Sequence, residues 1–85
     1  PNPATEHVTI DYNLQKKANA FEVAIYSSLG QKVLSIAQGS QAPGSHRLEW
    51  NGRDAAAQMV GNGLYYMVMT NGSELIATEK ILMMR

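Results

Sequence analysis

Few side chains in this sequence could carry a reaction, and their spacing narrows the choice further. The two histidines are His7 and His46. Neither has a serine or aspartate at a spacing that defines a catalytic triad or a metal motif. His46 shares its parity with Leu48 and Trp50, which reads as a half-buried strand histidine, and His7 reads as solvated. Asp54, together with Asn51 and nearby carbonyls, could hold calcium weakly. A calcium site needs six or more oxygen ligands, however, and Asn51-Gly52-Arg53-Asp54 suits an Asx turn closed on its own backbone better. There is no cysteine, which excludes disulfides, thiol catalysis and zinc–thiolate sites. Trp50 could form a sugar-binding platform, but its parity with Leu48 points it into a core. Tyr12, Tyr26, Tyr65 and Tyr66 are spread over several segments and make no single stripe. Asn71-Gly72-Ser73 matches a glycosylation sequon, and the same residues are what a tight hairpin asks for. No catalytic residue, cofactor or metal is therefore expected, and the chain reads as non-enzymatic.

The elements that position these residues are strands. Val8, Ile10, Tyr12 and Leu14 alternate with polar residues, and after a polar break at Lys16–Asn19 the alternation resumes at Phe21, Val23 and Ile25. Ser27-Ser28-Leu29-Gly30 is a turn in which Gly30 supplies a positive φ. Lys32–Gln38 is a third strand of mixed parity, which a bulge or burial on both faces would explain. Gly39–Gly44 reads as a turn, and His46, Leu48 and Trp50 mark a fourth strand. The segment from Ala55 to Val60 is too short for a stable helix and reads as a loop or one helical turn with a short strand near Met59. Leu64–Thr70 is apolar almost throughout, as in a central strand buried on both sides. Asn71-Gly72 reads as a type I′ turn, followed by a return strand over Glu74–Met84.

The 85 residues are 45% hydrophobic and 16% charged, with seven basic side chains against seven acidic ones. That length makes one core, and the zero net charge gives no pull towards nucleic acid or anionic lipid. No apolar run approaches the length of a membrane span. The expectation is an all-β, immunoglobulin-like antiparallel β-sandwich of about seven strands. Residues 1–5 read as the end of a linker, because Pro1-Asn2-Pro3 cannot start a ladder, and residues 6–85 as one domain.

Several short motifs occur in order: Pro1-Asn2-Pro3, the step at Gly30-Gln31-Lys32-Val33, Gly44-x-His46-x-Leu48-x-Trp50, Asn51-Gly52-x-Asp54, Gly63-x-Tyr65 and Lys80-Ile81-x-Met83. Together they resemble the C-terminal sorting domain of proteins exported by the type IX secretion system of Bacteroidetes-type bacteria. The segment from Trp50-x-Gly52-x-Asp54 to Gly63-x-Tyr65 is also similar to the immunoglobulin-like domain of flagellar hook-capping proteins. One departure is Ala57, since the family often has a glycine a few residues after the aspartate. The first resemblance implies a secretion address. Such a domain is carried through the periplasm to the cell surface or medium, with an outer-membrane translocon and a surface sortase as partners. Its cargo is the N-terminal domains of the same polypeptide.

The last hairpin carries the expected partner-binding residues. If Gly63-x-Tyr65 sets the inward parity, Tyr65, Met67, Met69, Ile81 and Met83 face the core. Tyr66, Val68, Leu82 and Met84 then form an outward apolar patch beside Lys80 and Arg85, of a kind monomers rarely leave unused. Two rival readings stand beside the sorting signal. One is a carbohydrate-binding or linker module of a secreted glycosidase or adhesin, which needs a solvent-facing Trp50. The other is a structural, self-assembling immunoglobulin-like domain of the hook-capping type.

Overall fold

A computed structural model describes residues 7–84 of the chain. The linker assigned to residues 1–5, with Pro1, Asn2 and Pro3, and the terminal Arg85 lie outside the described residues. Six strands follow one another: β1 Val8–Leu14, β2 Ala18–Ser27, β3 Lys32–Gln41, β4 Gly44–Trp50, β5 Gly63–Asn71 and β6 Glu74–Met83. All pairings are antiparallel. β1 and β4 form a two-stranded sheet, and the other sheet has the order β3-β2-β5-β6.

The alternation along each strand decides which face is buried, because successive side chains point to opposite sides of a sheet. Val8, Ile10 and Leu14 of β1 and Trp50 of β4 enter the core from one sheet. Phe21, Val23, Ile25, Met67, Met69, Ile81 and Met83 enter it from the other. Trp50 is 1% exposed, and its ring meets Tyr65 edge-on at a centroid separation of 5.5 Å. Its indole N–H donates to the Arg53 carbonyl at 2.9 Å, so burial leaves no orphaned donor. Tyr65 in turn donates its hydroxyl to the Gly61 carbonyl at 2.7 Å. These two bonds pin both ends of the loop between β4 and β5 to the core, which is the physical content of the Trp50 and Tyr65 positions in the pattern.

Several expectations need correction. Among the described residues there are six strands rather than about seven, because the segment near Met59 makes only a single bridge, Arg53 to Met59. The carboxylate of Asp54 accepts from the backbone N–H of Ala56 and Gln58, holding that segment as a closed loop that cannot extend into a strand. β2 starts at Ala18, inside the expected polar break, because Ala18 is buried in the core. β3 runs on to Gln41, so Gly39 belongs to the strand, opposite Phe21, and the turn narrows to Ala42-Pro43. The mixed parity of β3 comes from irregular register: its pairing with β2 shifts between Val23 and Ala24 and again between Ile25 and Tyr26. β5 is central in its sheet but buried on one side only, since its outward residues stay half-buried or exposed.

The β5–β6 turn also differs from type I′. Asn71 is the last strand residue, opposite Glu74, and the loop residues are Gly72 and Ser73. Gly72 has φ 62°, whereas Ser73 is not in the positive region, a combination that fits a type II′ turn. Asn71 is held in place by its side chain, which accepts from the Ala20 N–H at 3.0 Å, while the Gly72 N–H donates to the Ala20 carbonyl at 2.8 Å. The hairpin is tied to the start of β2 by both bonds.

Candidate functional site

The polar side chains first in line for chemistry are occupied structurally. His46 is half-buried, stacks on Tyr12 at 5.1 Å and contacts the Ala42 carbonyl through Nε2 at 2.7 Å. His7 is exposed. Tyr12 donates to Gln41, and partial burial raises its phenol above the ordinary value. A shallow groove along β1 and β4 is lined by Asp11, Tyr12, Asn13, Ser45, His46 and Arg47. Its polar groups engage one another: Arg47 donates to Asp11 at 2.7 Å, and Asn13 to Ser45 at 3.1 Å. Asn51 accepts from the Arg53 N–H at 3.1 Å, completing the expected Asx turn. Among the described residues, no three His, Asp or Glu side chains converge as metal ligands would.

What remains is a surface. Opposed residues of antiparallel strands lie on the same face. The register therefore builds the outer face of the four-stranded sheet row by row. Lys32, Tyr26, Tyr66 and Lys80 lie across it in one row, and Ser35, Ala24, Val68 and Thr78 in the next. Leu64 lies opposite Leu82 on the far side of the tyrosine row. Tyr66, Val68 and Leu82 are half-buried, whereas Leu64 is 38% and Met84 50% exposed. Tyr66, Val68, Lys80 and Leu82 thus share one face as the parity required, with Met84 following just beyond β6. Tyr26 and Leu64 complete the patch, with the buried Ala24 beneath it; Leu64 shares the parity of Tyr66 on β5, whereas Tyr26 escaped sequence reading because the pairing of β2 with β5 cannot be read from periodicity along either strand alone.

A polar cluster borders the patch on the β3 side. Glu22 accepts from Lys32 at 2.5 Å, from Ser35 and, at 3.5 Å, from Gln38. The Lys32 and Ser35 hydrogen bonds hold the Glu22 carboxyl below its ordinary value, and the Glu22 carboxylate raises Lys32. The cluster ties β2 to β3 where their register is irregular.

The two facing sheets and the buried Trp50 between them define an immunoglobulin-like β-sandwich. The family model described as "FlgD Ig-like domain" matches residues 3–74. The chain therefore belongs to that family, the immunoglobulin-like domain of flagellar hook-capping proteins. Among solved structures it is similar to FlgD from P. aeruginosa, with a TM-score of 0.64 at 20% identity, covering 89% of this chain and 64% of that one. The chain thus spans less than two thirds of the FlgD it matches, and the likeness is one of fold. No curated protein matches the chain.

These matches overturn the sorting-signal expectation: the family they identify is the hook-capping one, and neither supports a type IX secretion domain. They give no support to a carbohydrate-binding or glycosidase-linker module either. The sugar-platform version of that reading also fails on Trp50, which is buried at 1% exposure and so unable to stack on a ligand in solvent.

Proposed function

We propose that the chain is a non-catalytic structural domain of the hook-capping type. It works by protein–protein contact within an exported assembly, through the outer face of its four-stranded sheet. The family match over residues 3–74 carries this reading. The outer face supports it, because Tyr26, Tyr66, Val68, Leu64 and Leu82 form an apolar centre with charged residues at its border, the anatomy common to protein contact patches. Export outside the cell goes with the same reading.

The test is a domain exchange. The immunoglobulin-like domain of a flagellar hook-capping protein is replaced by residues 1–85 in a strain lacking the native protein, and hooks are counted by electron microscopy. Hooks above the level of a strain carrying the domain deletion support the proposal. A chimera that accumulates to native amount yet leaves cells without hooks contradicts it.

A further inference from the structure

Asparagine is followed by glycine three times, at Asn51-Gly52, Asn62-Gly63 and Asn71-Gly72. The pair has a chemistry of its own. The glycine amide nitrogen, once it has lost its proton, attacks the side-chain carbonyl carbon of the asparagine. Ammonia leaves, a five-membered succinimide closes, and water opens the ring at either carbonyl to give aspartate or isoaspartate. Glycine favours the attack because it has no side chain to crowd it and few backbone conformations closed to it. The reaction needs only water, so the placing of the two reacting groups by the fold decides its rate.

At Asn71-Gly72 both groups are turned towards a third residue. The Asn71 amide oxygen accepts from the Ala20 N–H at 3.0 Å, and the Gly72 N–H donates to the Ala20 carbonyl at 2.8 Å. The first bond alone would assist attack, because negative charge gathers on that oxygen as the new bond forms. The second opposes it at an earlier stage. Taking the Gly72 proton breaks a hydrogen bond and sets an amide anion against a carbonyl oxygen, and no attack begins without that anion. The backbone is fixed as well: Asn71 pairs with Phe21 on one side and Glu74 on the other, and Gly72 is held at φ 62°. Bringing the Gly72 nitrogen onto the Asn71 side chain requires the turn to come away from β2.

We propose that Asn71-Gly72 is a latent self-modification site, held shut by the Ala20 backbone and opened only when the β5–β6 turn lifts from β2. The two products differ in effect. Aspartate keeps the side-chain acceptor that the Ala20 N–H uses. Isoaspartate routes the chain through the side-chain carbon, which adds a methylene to the backbone and moves that acceptor. A two-residue hairpin loop sets register through its length, so the added carbon misaligns Glu74 opposite residue 71. Refolding does not reverse this, and the tie between the hairpin and β2 stays loosened. The site is independent of the hook-capping reading, since it needs only this chain in water.

Ageing the unaltered chain in mildly alkaline buffer, across a series of urea concentrations, tests the gate. Peptide mass spectrometry reads the amide-to-acid conversion, and chromatography resolves isoaspartate from aspartate. Asn51 and Asn62, each also before a glycine, report the intrinsic rate in the fully unfolded chain. Without urea, Asn71 should convert at least about tenfold more slowly than in the unfolded chain, in proportion to the time the turn is open. Between these limits its rate should rise in step with hydrogen exchange at the Gly72 amide. Chains carrying isoaspartate at position 71 should melt at a lower temperature than the Asn71→Asp variant. Equal Asn71 rates with and without unfolding urea overturn the proposal, as does a rate that stays flat while Gly72 exchange quickens. An isoaspartate chain that melts as high as Asn71→Asp overturns the loosening.

Discussion

Ala57 sits at φ 63°, alone among the described non-glycine residues in the left-handed region. The surrounding loop dictates that conformation. Asp54 caps Ala56 and Gln58, the Ala57 N–H donates to the Asp54 carbonyl at 2.9 Å, and the Ala57 carbonyl accepts from the Arg53 guanidinium at 3.0 Å. An L-residue there costs about 1–2 kcal/mol, part of which glycine returns as unfolded-chain entropy. A glycine at this position would relieve that strain. Ala57→Gly should stabilise the domain by about 0.5–1 kcal/mol, raising the thermal midpoint by a few degrees; a lowered midpoint in calorimetry contradicts the strain. Asp54→Ala removes the acceptor of two backbone N–H groups and should cost about 1–2 kcal/mol in urea denaturation. Glu22 has a depressed folded pKa, so it adds stability above its ordinary value of 4.5 that is lost as pH falls through the lower folded value. Glu22→Gln should flatten the acid limb of stability against pH, measured by chemical denaturation between neutral and acidic buffers.

Among the strands, alternation made the faces legible and left the boundaries less so. Tyr66, Val68 and Leu82 lie outward and Met67, Met69, Ile81 and Met83 inward, as period two along β5 and β6 requires. The same arithmetic could not show that Asn71 belongs to β5, because its anchor is the Ala20 backbone far away in sequence. Nor could it show that Gly39 continues β3, where pairing with Phe21 outweighs weak strand propensity. The short strand expected near Met59 is lost to Asp54, a cap whose reach depends on the fold of the loop. The outer face was half legible: its β5 and β6 members follow from parity, whereas Tyr26 joins it only through strand order. Asn71→Ala should cost about 1 kcal/mol by freeing the Ala20 N–H, and it should raise hydrogen exchange at Ala20 and Gly72 before it affects Met67 or Val23. Uniform acceleration across all strands contradicts a local tie.

For the molecule as a whole, the core and the proposed contact surface are separate sets of residues carried by the same strands. Trp50, Phe21 and the inward methionines hold the sandwich together, and truncating Trp50 to alanine should cost about 3–5 kcal/mol, a large share of what a domain of this size has. Circular dichroism during urea unfolding checks that cost. Outward residues contribute far less to stability and, in this account, carry the function. The most direct measurement is hook assembly by the exchanged protein with its outer face either intact or bearing Tyr66→Ser and Leu82→Ser. The account predicts hooks from the first and few or none from the second, at equal protein level and with the second domain still folded. Equal hook numbers from both would contradict it.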